Sequence, residues 1–155
     1  MNKRTLTISM MVVGALLASA AFAKGGSEGT CSNRTIKGQY AGSVEGVFLP
    51  APGVTLPISG TGITNYDGDG NLNEYGGYLV VNGGPPSDGG GGRDSGTYHI
   101  NADCTGTAHI LLDPVGGFFI NLAFVVTSDG KEIYSVITGP YAGPVIMSSF
   151  VYKRL

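Results

Sequence analysis

Beyond the first 23 residues, apolar side chains nowhere recur at helical spacing over three turns, which argues against a helical fold. Beyond the first few residues, only Lys153 and Arg154 form an adjacent basic pair. No basic stripe is therefore present to neutralise a run of phosphates, and a nucleic-acid partner is not expected. The chain has only two cysteines, without CxxC spacing, which argues against a structural zinc site or a redox dithiol. Its G-x-S-x-G match, Gly25 to Gly29, falls in the polar glycine-rich leader and not at a strand-to-helix turn, and Gly42-Ser43 and Gly60 lie in ordinary strand contexts, so no serine nucleophile elbow is expected. The glycine-rich run at 83–92 is followed by neither Lys-Ser nor Lys-Thr and opens no helical pattern, which removes a phosphate-cradling loop. No signature of a resident cofactor remains, and none is expected.

What is present begins with export. Lys3 and Arg4 form a basic start, Met10 to Ala18 is apolar apart from Gly14, and Ala21-Phe22-Ala23 has the small-x-small form of a signal-peptidase site. Residues 1–23 are read as a signal peptide. A membrane anchor would need about 18 or more uninterrupted apolar residues, and no cysteine stands near the cleavage site to carry lipid. The protein is expected to be secreted or periplasmic, without membrane contact after cleavage. Removing 23 of the 155 residues leaves 132, enough for one domain with a core. Losing Lys3 and Arg4 moves the net charge from −2 to −4. In an oxidising compartment Cys31 and Cys104 are expected to form one bridge. Residues 24–35 read as a flexible leader carrying Cys31, and residues 36–155 as the folded domain.

That domain reads as strands throughout. Ile36 to Leu49 alternates, with Tyr40, Val44 and Phe48 on one face and glycine at 38, 42 and 46, a spacing that marks curvature or close packing. Val54 to Tyr66 resumes the extended pattern, Asp67 to Asn71 (DGDGN) is the strongest turn signal, and Leu72 to Asn82 returns. Thr97 to Asn101 and Thr107 to Leu112 form a hairpin over the loop Ala102 to Gly106, which would set His99 opposite His109. Phe118 to Thr127, Lys131 to Thr138 and Val145 to Arg154 follow. About eight strands with short connections predict an all-β fold, a single antiparallel up-and-down barrel. A barrel of that size is filled by its own side chains or holds one small ligand.

The Gly-x-Tyr of Gly38 and Tyr40 near Cys31, then DGDGNL, SGTYHINADCTGT, VTSDGKEIY and the basic pair Lys153 and Arg154, resemble a family of small exported, mostly uncharacterised bacterial β-barrel proteins. The resemblance spans nearly the whole mature chain, and DCTGT after GTY is its most specific part. It implies an architecture similar to the calycin or allene-oxide-cyclase-like barrels, which bind or convert apolar small molecules. Where the family often has Gly and Thr before its basic end, this chain has Phe150, Val151 and Tyr152, so the closing strand is expected to pack differently.

Four sets of residues are candidates for chemistry. His99 and His109, as cross-strand neighbours, could share a metal ion, but a third ligand is missing from the hairpin and two surface imidazoles are the plainer reading. Asp67, Asp69 and Asn71 resemble the opening of a calcium loop, yet Leu72 and Tyr78 occupy the positions that need glycine and a bidentate acid. A hairpin turn explains them without metal. Glu45 and Glu74 lie well inside strands, and either, if inward, would have its pKa raised by desolvation and could serve as a general base in a cyclase- or isomerase-like enzyme. Phe118, Phe119, Ile120, Leu122 and Phe124 supply more apolar surface than one face of a strand can bury in a core, and are candidates for a ligand or partner surface, including a homo-oligomer. The leading expectation is a non-enzymatic barrel that binds a small apolar ligand or a protein partner. A small outer-membrane barrel is the other alternative, opposed by the Lys153-Arg154-Leu155 end and the absence of apolar girdles.

Overall fold

A computed structural model describes residues 30–88, 94–113, 118–139 and 145–155. The segment read as a signal peptide, residues 24–29 of the leader, the end of the glycine-rich loop and residues 140–144 lie outside the described residues. A short 3-10 helix, η1 (Asn33–Ile36), precedes nine strands: β1 (Gly38–Ala51), β2 (Val54–Tyr66), β3 (Asn71–Val81), β4 (Ser87–Asp88), β5 (Ser95–Ile100), β6 (Thr105–Asp113), β7 (Phe118–Val126), β8 (Glu132–Gly139) and β9 (Val145–Arg154). All pairings are antiparallel. β9 returns to β1 and β2 pairs with β3, so every strand except β4 takes part in a closed eight-stranded up-and-down barrel. The two-residue β4 only caps Tyr78 and Leu79 on the edge of β3.

Alternation along the strands decides what fills the interior. Tyr98, Ile100, Ala108, Ile110, Ile120, Leu122, Phe124 and Val126 point inward and are buried, while Thr97, His99, Thr107 and His109 point out and are exposed. An apolar interior with a polar exterior on β5 and β6 is the reverse of the arrangement in a transmembrane barrel.

One end of the barrel is sealed. Ile36 of η1 is fully buried there, and Asn33 ties the helix down. Its Oδ1 accepts from the Ile100 amide at 2.8 Å, and its carbonyl accepts from the Tyr98 hydroxyl at 3.1 Å. Tyr40, Tyr66 and Tyr98 stack edge to face beneath it, with centroids 5.5 and 5.1 Å apart. The Arg154 guanidinium lies over the Tyr40 ring at 5.7 Å, so the basic end of β9 helps to close the seal. Cys31 is bonded to Cys104, as the sequence suggests. The last part of the leader is thus a packed plug of the barrel rather than a loose tether.

The β5–β6 hairpin departs from the expected register. His99 faces Thr107, and His109 faces Thr97, a shift of two residues. The turn closes early because Cys104 adopts a left-handed φ of 67°, the conformation that usually recruits glycine. The Asn101 amide then bonds the Thr105 carbonyl at 2.8 Å. Gly106, which as a glycine looks like the end of the loop, lies within β6, where a side chain would strike the Phe124 ring and the His99 carbonyl.

Candidate functional site

The half of the barrel away from η1 is not filled by its own side chains. It holds a partly open cavity of about 290 Å³ whose apolar wall includes Val44, Ile58, Leu79, Ile110, Ile120 and Phe150. Three features of the wall leave this space. Glycines 42, 62 and 77 contribute no side-chain volume. The β2–β3 register slips between Thr61 and Ile63. The contact between β3 and β5 extends over only three residue pairs, Asn71 to Asn73, so the far half of β3 is not zipped to β5.

Into this apolar space projects one carboxylate. Glu74 follows Leu72 by two residues on β3, so the alternation that buries Leu72 also turns Glu74 inward. Thr64, its partner across the β2–β3 pair, donates its hydroxyl to Glu74 Oε1 at 2.9 Å, and the Tyr152 hydroxyl of β9 donates to the same oxygen at 3.2 Å. Asp94, itself buried, also lines the cavity, and its carbonyl accepts the Glu74 amide at 2.9 Å. Burial pushes the Glu74 carboxyl above its ordinary range, while the two hydroxyl donors pull it partly back. Tyr152 is held well above the usual phenol value, first by burial and then by the neighbouring Glu74.

A raised carboxyl pKa ties stability to pH. Between the ordinary value of 4.5 and the folded value, the folded protein keeps a proton that the unfolded chain has released. The stabilisation from Glu74 is complete below pH 4.5 and is lost as pH rises through the folded value. Glu74→Gln cannot ionise, so its melting temperature relative to wild type should be several degrees more favourable at pH 8 than at pH 4. Thermal unfolding of both proteins at the two pH values checks this, and an equal difference at both would contradict the assignment.

The other sequence candidates fall elsewhere. Glu45 is exposed on the outer face of β1, paired across to Ser59 and Ser149, and takes no part in the cavity. Asp67 is used up by its own turn. Its Oδ1 accepts the amides of Asp69, Gly70 and Asn71, and its Oδ2 accepts the Asn71 side chain at 2.6 Å. These bonds, the Asn71 side chain foremost, hold the Asp67 carboxyl down at about 2. Gly68 and Gly70, at φ 85° and 111°, supply the dihedrals of the turn, and Asp69 is exposed beside them.

His99 and His109 both face solvent but are not opposite one another. His109 shares a hydrogen bond of 2.8 Å with Asn121 and packs its ring against Phe119. Among the described residues, no group of three or more His, Cys, Asp or Glu could hold a metal ion. His99→Ala is therefore expected to change stability by no more than about 0.5 kcal/mol, as surface substitutions do, in a urea titration. A loss rivalling that of the disulfide would show that the hairpin does more than clasp the plug.

The five candidates on β7 divide. Ile120 lines the cavity, whereas Leu122 and Phe124 are buried in the core and are not part of its wall, so they form no partner surface. Phe119 lies under His109, and the side chain of Phe118 lies outside the described residues. The apolar residues exposed on β7 and β8 are instead Val125, Tyr134 and Val136, brought side by side by the β7–β8 pairing. Thr64, Asp94 and Tyr152 belong to no motif that the sequence displays.

Among the described residues, no helix is long and apolar enough to cross a membrane. No protein-family model matches the chain, and no curated protein matches it.

Proposed function

We propose that this protein is an exported barrel whose interior binds one small, mainly apolar ligand. The observation that carries the reading is the 290 Å³ cavity walled by aliphatic and aromatic side chains on seven of the eight barrel strands. Sites for small molecules are concave, mostly apolar and fitted with a few polar groups, and this cavity has that composition. The calycin-like architecture that the sequence resemblance implies is in keeping with this reading as an analogy of fold. The Cys31–Cys104 bond supports a secreted or periplasmic location, where disulfides persist.

Titration with N-phenyl-1-naphthylamine, an uncharged fluorophore that brightens in apolar surroundings, tests the cavity. Saturable one-to-one uptake is expected. Ile137→Phe, which places a larger ring in the wall, should weaken it without loss of fold. A folded protein that takes up no probe would overturn the reading.

A second reading is favoured by one observation, the inward carboxylate. Glu74 beside the Tyr152 hydroxyl could move a proton on a bound molecule, as a cyclase or isomerase requires. Its mark would be a bound compound that is turned over by wild type but only bound by Glu74→Gln. For a protein partner, the exposed strip of Val125, Tyr134 and Val136 is the surface in question, and native mass spectrometry reports whether the chain self-associates.

A further inference from the structure

We infer that the ligand carries a cationic amine and that Glu74 is the residue that receives it, a proposal that rests on the binding role of the cavity. The inference comes from how the polar corner of the cavity around Glu74 is built. Thr64 and Tyr152 reach Glu74 from two different strands, and both donate to Oε1. The described residues place no donor on Oε2, although Glu74 is part of the cavity wall. The carboxylate is thus anchored through Oε1, and Oε2, with no donor from the described residues, is the oxygen that we assign to the ligand.

The charge of the lining chooses the ligand's head group. Glu74 lines the cavity, and among the described residues no Lys, Arg or His does. A carboxylate or phosphate ligand would meet the Glu74 charge with no cation among the described lining residues to receive it. An alkylammonium group, with a pKa near that of lysine at about 10.4, brings donors and positive charge to Oε2. It would also offset the burial that raises the Glu74 carboxyl, because an opposite charge favours the ionised form. The buried Tyr152, whose hydroxyl reaches Glu74, adds an aromatic ring to the same wall, a surrounding that favours a cation over an anion. The remaining wall is aliphatic and suits a hydrocarbon tail. The ligand class is therefore a lipophilic primary amine.

Three probes with one tail separate the head groups: octylamine, 1-octanol and octanoate, titrated calorimetrically into the disulfide-bonded protein at pH 7.5. Octylamine should bind at least about tenfold tighter than 1-octanol, and octanoate should be the weakest. Glu74→Gln, which keeps the size and the acceptor for Thr64 and Tyr152, should remove the advantage of the amine while leaving 1-octanol within about twofold. Equal or better binding of 1-octanol or octanoate would overturn the amine assignment and leave the apolar cavity standing. An amine preference that survives in Glu74→Gln would overturn the role of Glu74. If none of the three binds to a protein that also refuses N-phenyl-1-naphthylamine, the cavity reading itself has failed. Circular dichroism of the variant guards against a mere folding defect, and Glu74→Ala, which removes the carboxylate without a new donor, gives an independent second variant.

Discussion

Replacing Cys31 and Cys104 together by serine is expected to cost the fold more stability than any change at Gly42, Glu74 or His99. The bond closes a sequence separation of 73 residues, and on the chain-entropy account a loop of that size stabilises by roughly 4 kcal/mol. For a domain of this length the melting temperature should fall by on the order of 12 °C or more. Two structural consequences accompany the entropy. Cys104 holds a left-handed φ of 67°, which costs a residue with a side chain some backbone energy unless its surroundings fix it. Cys31 in turn holds η1 at the barrel end, where Ile36 is buried and Asn33 caps the Ile100 amide. Without the bond, fraying of the plug would expose Ile36 and the tyrosine stack, so protection of the Ile100 amide from hydrogen exchange should drop along with the melting temperature. A shift of less than about 2 °C on mild reduction would mean that Ile36 and Asn33 hold the plug unaided, and that the disulfide is dispensable.

The bridge, the fold class and most strands are legible in the sequence because local chemistry and global fold agree there. Val54 to Tyr66 and Val145 to Arg154 match β2 and β9 end to end, since Gly, Pro and Asp-Gly punctuation brackets the first and a glycine-rich turn precedes the second. The hairpin register is not legible, because Cys104 takes a conformation that sequence reasoning reserves for glycine. Its neighbour Gly106 is glycine for a different reason, the approach of the Phe124 ring. The candidate site is half legible. Alternation from Leu72 places Glu74 on the inner face, but its partners Thr64 and Tyr152 come from strands 10 and 78 residues away. The β2–β3 hairpin sets Thr64 opposite Glu74, but only the closure of β9 onto β1 brings Tyr152 there, and no local pattern encodes that closure. The apolar surplus on β7 reads as a binding surface in the sequence, whereas most of it is core. The strand is covered inside by the barrel's own packing, and the cavity lies farther along, where small residues leave space.

Gly42→Ala is expected to damage both the fold and the site, through a contact that the glycine periodicity of β1 announces without explaining. Gly42 pairs with Tyr152 across the β1–β9 ladder, and the Tyr152 ring lies directly on it. A methyl group at Gly42 would land within that ring, so Tyr152 must rotate away or β1 must move. Forced overpacking of this kind costs about 1–3 kcal/mol. Rotation would also withdraw the Tyr152 hydroxyl from Glu74, leaving Thr64 as the one hydroxyl donor to the carboxylate, and separate the ring from its stack with Phe150, now at 5.9 Å. Gly62 provides the comparison within the same cavity wall. A side chain there would meet only the Gly77 Cα at 3.5 Å, an ordinary contact, so Gly62→Ala should be far milder. Tyr152→Phe separates the two losses, because it keeps the ring over Gly42 and removes only the hydroxyl. Chemical unfolding of the three variants should rank them with Gly42→Ala the least stable and Gly62→Ala the nearest to wild type. If Gly42→Ala proved as stable as Gly62→Ala, the ring of Tyr152 would have another place to go. The position of Tyr152 beside Glu74 would then not depend on the glycine beneath it.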